Sequence, residues 1–189
     1  YILGLKGYYM TGESFSYGGK VVKDVSGYDL KKILIGSEGT LAIITEITLR
    51  LIPKPTENQL LIAEFKTLET ALKSLELISK HGLRPCSAEF IDKKCISISK
   101  TLENPFLGIK NITGYLIYFD FDGDSKKSVA DQAIQCNDLI KQYTPLSSQI
   151  IESPRDQEQW WNYRRSISTL LKNYAKSKAS HDIVVPISN

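Results

Sequence analysis

The stretch that decides the fold is residues 27–53, GYDLKKILIGSEGTLAIITEITLRLIP. Two glycines, Gly36 and Gly39, stand directly before a run of aliphatic and β-branched residues. That run starts with four apolar residues, 41–44, and then alternates, which predicts a long strand whose first part is buried on both faces. A lone pair of glycines is usually an ordinary turn. At the buried end of a sheet, however, glycines allow close approach of the backbone, and their N–H groups can bind phosphate oxygens.

Two motifs in and beside this stretch carry a family resemblance. They are residues 23–30, KDVSGYDL, and residues 35–46, IGSEGTLAIITE. Together they resemble the second half of the FAD domain of flavoproteins of the vanillyl-alcohol oxidase (VAO/PCMH) type. They are most similar to the D-2-hydroxy-acid dehydrogenase branch, which contains glycolate oxidase, D-lactate dehydrogenase and D-2-hydroxyglutarate dehydrogenase. The family usually has glycine where this chain has Ala42, which is a mild departure.

The resemblance implies FAD as the cofactor of the parent protein. In the family, the second motif lies against the FAD, largely through its main chain. The residues that the resemblance assigns to cofactor binding are Gly36, Ser37, Glu38, Gly39, Thr40, Leu41, Ala42, Ile43 and Ile44.

The composition is that of a packed globular protein. The 189 residues are 42% apolar, and a net charge of +3 with interspersed signs argues against a nucleic-acid partner. No apolar run approaches the roughly 20 residues of a membrane span, and we expect no signal peptide. Three unpaired cysteines indicate a reducing compartment. We therefore expect a cytoplasmic location, with peripheral attachment to the inner membrane as the alternative.

The chain is expected to be an internal fragment with two domains. It starts at Tyr1 in mid-pattern, and its only methionine is Met10. Residues 1–22 predict a hairpin, and residues 27–32 predict a short helical turn. The PKPT segment at 53–56 ends the strand, because proline cannot continue a hydrogen-bonded ladder. The resulting domains are residues 1–55, the C-terminal half of an FAD domain, and residues 56–189, a substrate cap incomplete at its C-terminus.

The second domain is predicted to be a ferredoxin-like α+β sandwich. Its periodicity follows the order β-α-β-(α)-β-α-β, which is typical of an antiparallel sheet with helices on one face. A further helix begins at the cap Ser153 and runs to about Lys178, and a last strand is predicted within 182–189. The predicted strands are 60–65, 85–90, 115–121 and 149–152, and the helices between them are 67–81, 91–102 and 125–140.

The last helix contains the candidate substrate residues. Trp161, Arg164 and Ser168 fall on one helix face, and an arginine there can hold a carboxylate with two parallel hydrogen bonds. The alternative is an amphipathic helix with its tryptophan in the core and its arginine at the surface. In the resembling family, an arginine matching Arg164 holds the substrate carboxylate, and a threonine matching Ser168 assists. The family's lysine is replaced by Ser180, which argues against a second carboxylate on the substrate.

No catalytic residue or metal site is predicted in this chain. The two histidines, His81 and His181, are 100 residues apart and have no cluster of carboxylates around them. In the family, the catalytic histidine and the metal lie on a strand further along the chain.

Two hypotheses of different classes remain open. The first is an FAD-dependent oxidoreductase that oxidises a small D-2-hydroxy acid, glycolate or D-lactate, to the 2-oxo acid by hydride transfer to the flavin. The electron acceptor or partner redox protein is left undefined. The second is that the isolated fragment is a non-catalytic ferredoxin-like module, which binds no flavin and forms a homodimer through bare strand edges. A weaker idea keeps the fold and places the reaction in the ether-lipid synthase branch.

Overall fold

The computed structural model describes residues 1–101 and 106–186. The chain forms two compact units, Tyr1–Lys54 and Pro55–Asn189. Both units combine helix with sheet, so the α+β prediction is confirmed. The change of unit falls in the proline-containing segment at 53–56, where a backbone without N–H groups cannot extend a sheet. Which functional domain each unit represents stays a prediction.

The first unit is a three-stranded antiparallel sheet with one short helix. Strand β1 (Ile2–Tyr9) and strand β2 (Ser14–Gly18) form the predicted hairpin, and β3 (Ala42–Leu49) pairs with the other edge of β1. Helix α1 (Lys31–Leu34) places Leu34 over the sheet. The small core of this unit consists of Leu5, Phe15, Leu34 and Ala42.

The predicted burial of the start of β3 on both faces is wrong. Ala42 is 2% exposed, but Leu41 and Ile43 are 47% and 60% exposed. Successive side chains of a strand point to opposite faces, and within this unit only the face that carries Ala42 is covered. The strand also ends at Leu49 rather than continuing to Ile52.

The second unit has the predicted ferredoxin-like sheet. Its strands are β4 (Glu57–Phe65), β5 (Ser87–Ile91), β6 (Tyr115–Gly123) and β7 (Ser147–Ile151). They lie in the order β5-β6-β4-β7, and every neighbouring pair is antiparallel. Helix α2 (Leu68–Lys80) connects β4 to β5, and helix α4 (Lys126–Ile140) connects β6 to β7.

Local signals in the sequence account for the helix ends of this unit. The side chains of Thr67 and Ser125 accept hydrogen bonds from backbone N–H groups in the first turns of α2 and α4. Helix α2 ends at Lys80 with His81 as its C-cap, and Gly82 follows with φ +73°, a left-handed conformation that glycine adopts without strain.

Helices cover both faces of the second sheet, which corrects the prediction of helices on one face. Helices α2 and α4 pack on one face, over Leu61 and Phe65. Helix α3 (Lys93–Lys100) and helix α5 (Pro154–Tyr174) pack on the other face, over Leu60 and Ile62. The central strands carry apolar residues at consecutive positions, and such a run is typical of a strand buried on both sides.

The C-terminal part of the chain differs from the prediction. Helix α5 ends at Tyr174 instead of about Lys178, and residues 181–186 form no strand. Ile183, Val184 and Val185 are β-branched, but β-propensity needs a paired neighbour before it produces a strand. The predicted helix end at Leu102 and the final residues 187–189 lie outside the described residues.

Candidate functional site

A pocket of about 270 Å³ lies beside α5 in the second unit. Arg164 and Ser168, the two predicted substrate residues, both line it, because four residues make slightly more than one helical turn. Their role in substrate binding stays a prediction. The full lining consists of Phe90, Ile91, Asp92, Cys95, Arg164, Ile167, Ser168, Leu171 and Lys178.

Arg164 is held at the pocket by an ion pair with strand β5. Its Nη2 donates a hydrogen bond of 2.7 Å to Oε2 of Glu89. The two side chains are 43% and 29% exposed, so both remain accessible to a solute. A guanidinium has five N–H donors in a planar fork. The contact with one carboxylate oxygen therefore leaves donors for another anion.

Lys178 brings a second cation to the pocket. The chain turns back after α5, and the Lys178 ammonium donates to the hydroxyl oxygen of Ser168 and to the Ser168 carbonyl. The Ser168 hydroxyl accepts in this contact, so its own proton is available to a ligand. Ser180 is exposed and is not among the pocket residues. The inference from Ser180 against a second carboxylate on the substrate stays a prediction.

The acidic residue in the pocket lining already forms hydrogen bonds with the N-terminus of α3. Asp92 caps this helix, and its Oδ1 accepts the N–H groups of Lys94 and Cys95 at 2.6 and 3.0 Å. Burial opposes ionisation, but these hydrogen bonds outweigh it and lower the pKa of Asp92. Burial and the hydrogen bond to Asp92 raise the pKa of the Cys95 thiol to about 11. Cys95 is therefore a protonated thiol at neutral pH and not a nucleophile.

Trp161 lies away from the pocket, against the core. Its ring and that of Trp160 meet the ring of Tyr118 edge-on, with centroids 5.8 and 5.7 Å apart. The interpretation of this helix as amphipathic, with its tryptophan in the core, is thus correct for Trp161. Arg164, by contrast, is directed to Glu89 and the pocket.

The Tyr118 hydroxyl is buried beneath this region without a hydrogen-bond partner among the described residues. Tyr118 is 0% exposed, and burial raises the pKa of its phenol. Unpaired polar atoms in a core cost free energy. We therefore expect Tyr118→Phe to leave the protein as stable as before, or more stable by about 1 kcal/mol. Urea denaturation measures this, and a loss of more than about 1 kcal/mol would mean that the hydroxyl has a partner in solution.

The predicted flavin-binding residues occupy the turn before β3 and the start of that strand. Three residues of the turn have positive φ: Gly36 (+85°), Glu38 (+50°) and Gly39 (+77°). This conformation is uncommon for a residue other than glycine and is a local strain that often marks a binding site. The Ser37 and Thr40 N–H groups bond within the turn. For the N–H groups of Glu38 and Gly39, no backbone acceptor is found within the described residues.

Side chains of the same stretch divide between core and surface. Ala42 points into the core of the first unit, so it can contact a ligand only through its main chain. Leu41 and Ile43 present apolar side chains outward. Free N–H groups beside exposed apolar side chains fit a planar, largely apolar ring with carbonyl groups at its edge, such as a flavin. Whether these nine residues bind the cofactor stays a prediction.

A second opening of the first unit, about 370 Å³, is lined by residues 16–18, 24 and 26–31. Asp29 lies in it and accepts a hydrogen bond from the Lys31 ammonium at 2.6 Å, which lowers the pKa of the Asp29 carboxyl. This local pairing supports a structural role for Asp29. The Tyr28 ring is 95% exposed.

The two histidines show no sign of metal binding in the part of the chain that the structure describes. No group of three or more His, Cys, Asp or Glu side chains suited to a metal ion occurs in the described ranges. His81 contacts the Leu77 carbonyl at the end of α2, as its sequence position predicts. Within the same ranges, no helix is both long and apolar enough to cross a membrane.

Sequence reasoning missed Glu89, Asp92 and Lys178. Glu89 is 75 residues from Arg164 along the chain, so no spacing rule connects them. Lys178 reaches Ser168 only because the chain reverses after α5. Asp92 carried a signal, since an aspartate before a helical pattern is a typical N-cap.

The second unit is an α+β domain with a pocket beside its last helix, and Arg164 and Lys178 are among the residues that line this pocket. Residues 54–189 match the family of FAD linked oxidases, C-terminal domain. The chain therefore belongs to the FAD linked oxidases, and FAD is the cofactor after which this family is named.

Similar proteins with assigned names include two bacterial oxidoreductases. The chain is 29% identical to a D-lactate dehydrogenase of Anaerostipes hadrus, over 93% of this chain and 38% of that protein. It is 27% identical to glycolate oxidase subunit GlcD of Bacillus subtilis, over 100% of this chain and 39% of that protein. The chain thus spans about two fifths of the length of these curated relatives.

Solved structures of other enzymes share the fold. A structure of alkyldihydroxyacetonephosphate synthase has a TM-score of 0.67 at 19% identity, covering 92% of this chain and 32% of that one. P-cresol methylhydroxylase with substrate bound has a TM-score of 0.62 at 14% identity, covering 88% of this chain and 37% of that one. At these identities the likeness concerns the fold alone.

Proposed function

We propose that this chain is part of an FAD-dependent oxidoreductase that converts a small D-2-hydroxy acid, glycolate or D-lactate, to the 2-oxo acid. One observation carries the proposal: Arg164, Ser168 and Lys178 surround a single pocket in a member of the FAD linked oxidases. The names of the two bacterial relatives support this substrate class.

The role of the pocket is to bind and orient the carboxylate of the hydroxy acid. The free donors of Arg164 can form charge-assisted hydrogen bonds to it, and the Lys178 ammonium adds a second positive charge. The Ser168 proton can bond to the same carboxylate or to the hydroxyl of the substrate. The pocket is small, at about 270 Å³, and its walls at Ile91, Ile167 and Leu171 suit a short aliphatic chain.

The flavin stretch would face the cofactor mainly with backbone. The N–H groups of Glu38 and Gly39 would donate to it, and Leu41 and Ile43 would cover it with apolar side chains. FAD, when bound, supplies the acceptor for the hydride that leaves the substrate carbon. The chain's own residues bind, orient and exclude water. We place the base that takes the hydroxyl proton outside the described residues.

The test is a visible absorption spectrum of the purified full-length protein, followed by anaerobic addition of substrate. We expect a protein-shifted flavin spectrum that bleaches with glycolate or D-lactate and not with L-lactate. A yellow protein that none of these acids bleaches would contradict the substrate class while leaving the cofactor intact. A colourless protein that does not take up added FAD would contradict the flavoenzyme proposal itself.

The same spectrum recorded on the 189-residue chain with added FAD tests whether the isolated fragment is a non-catalytic module, which is compatible with a flavoenzyme as the parent protein. A shifted spectrum would mean that residues 36–44 and their neighbours are sufficient to hold the flavin. A chain that leaves the spectrum of free FAD unchanged would behave as the non-catalytic module.

A further inference from the structure

Four charged side chains belong to the carboxylate pocket or bond to its lining. Arg164 and Lys178 are positive, and Glu89 and Asp92 are negative. Asp92 accepts two N–H groups at the N-terminus of α3, where the helix dipole favours a negative charge. These hydrogen bonds and the helix dipole thus compensate most of the negative charge of Asp92. Glu89 is different, because its bonded partner is Arg164 itself.

Glu89 is fixed in place by the sheet. It lies on β5 opposite Tyr118 of β6, on the sheet face that α5 covers. Its carboxylate is 29% exposed and 2.7 Å from the Arg164 guanidinium. Any anion that binds Arg164 therefore binds next to a negative charge. The net charge offered by Arg164, Lys178 and Glu89 together is +1, which matches a ligand with one carboxylate.

We infer that Glu89 sets the specificity of this pocket for monocarboxylates over dicarboxylates. It positions Arg164 through the hydrogen bond and, through its charge, opposes the second carboxylate of a larger acid. The inference rests on the proposed function, in which the pocket binds the carboxylate of a 2-hydroxy acid. It assigns the discrimination to a residue of β5 that touches Arg164 and does not line the pocket.

The inference predicts a specific effect of Glu89→Gln. The glutamine carbonyl can still accept the Arg164 hydrogen bond, so the geometry is kept while one negative charge is removed. A unit charge a few ångströms away in a half-exposed site changes the affinity of a monoanion by about fivefold. A dianion interacts with the same charge through both carboxylates, so its affinity should rise about twentyfold.

The experiment titrates the 189-residue chain with D-lactate and with D-malate, which differ by one added carboxylate. Binding is followed by NMR of ¹⁵N-labelled arginine side chains, with Arg164→Lys used to identify the Arg164 signal. This readout does not require FAD. The matched control is Glu69→Gln, which removes an equivalent carboxylate paired with Lys73 at 2.7 Å on α2, on the opposite face of the sheet.

We expect the unmodified chain and Glu69→Gln to bind D-lactate more tightly than D-malate, and Glu89→Gln to shift this ratio toward D-malate by about fourfold. Glu89→Ala is the second variant, and it should shift the ratio in the same direction even where its overall affinity falls. An unchanged ratio in both variants would overturn the inference, as would a chain that already prefers D-malate or binds neither acid.

The outcomes for Glu89 and for the proposed function are separable. Flavin bleaching by D-lactate in the full-length protein, together with an unchanged ratio in the variants, would reject the role of Glu89 and keep the function. If the ratio of D-lactate to D-malate affinity shifts but the full-length protein does not bind FAD, the carboxylate pocket is supported and the oxidoreductase function is rejected.

Discussion

Arg164→Ala is expected to weaken the binding of D-lactate and glycolate about fiftyfold. The reason is that Arg164 provides charge-assisted hydrogen bonds to the carboxylate, and each such bond is worth about 1.5–3 kcal/mol. Lys178 remains in the variant and retains part of the attraction. The binding measurement is the arginine NMR titration or isothermal calorimetry, and in the full-length enzyme the same loss should appear in kcat/KM.

The fold should survive this substitution. The ion pair with Glu89 is partly exposed, and such pairs contribute less than about 1 kcal/mol. The control is Arg165→Ala, since Arg165 is the next residue on α5 and its guanidinium bonds to the Asn162 side chain at 2.7 Å. We expect Arg165→Ala to change the affinity less than about twofold. An equal loss in both variants would indicate a general effect of charge and would contradict a specific role for Arg164.

Glu64→Ala is expected to lower the free energy of unfolding of the second unit by about 3 kcal/mol. Glu64 is 4% exposed on β4, and its Oε1 accepts the N–H groups of Thr113 and Gly114, each at 2.7 Å. Its Oε2 accepts the Ser147 hydroxyl at 3.3 Å. Alanine would leave these two backbone donors without their acceptor where the chain enters β6, and it would remove the acceptor of the Ser147 hydroxyl at the start of β7.

The neighbouring backbone has little room to adjust to this loss. A Cβ added at Gly114 would lie 2.2 Å from the Phe65 carbonyl oxygen, which shows how closely the entry to β6 approaches β4. Glu64→Gln retains one carbonyl acceptor and should cost about half as much. Urea denaturation measures all three proteins, with Glu69→Ala on the exposed face of α2 as the surface control. If the free energy of unfolding of Glu64→Ala lay within about 0.5 kcal/mol of that of the surface control, the hydrogen bonds to Glu64 would contribute little to stability.

Much of the second unit was predictable because its signals are local. The caps at Thr67, Ser125 and Ser153 bond to N–H groups three residues further on. The strand and helix order follows from periodicity, and a sheet order of β5-β6-β4-β7 results when those connections are short. The prediction of a final strand failed because Ile183, Val184 and Val185 favour a strand but have no neighbouring strand to pair with in the described structure.

The candidate site was predictable in part. Helical spacing alone puts Arg164 and Ser168 on one face of α5, and the glycines at 36 and 39 have the positive φ that their turn requires. The partner of Arg164 was not predictable, because a contact over 75 residues depends on how α5 crosses the sheet. The same holds for Lys178, which is placed by a change of direction after Tyr174.

By itself, the sequence determined the class of fold, the ends of most helices and the pair Arg164 and Ser168, since each depends on residues within one or two turns of the chain. The tertiary structure decided which sheet faces are covered, where the strand after the glycines is exposed, and which charges surround the pocket. These features depend on packing between distant segments. Coulomb interactions and burial act through space, so Glu89 and Lys178 acquire their roles only after the chain has folded.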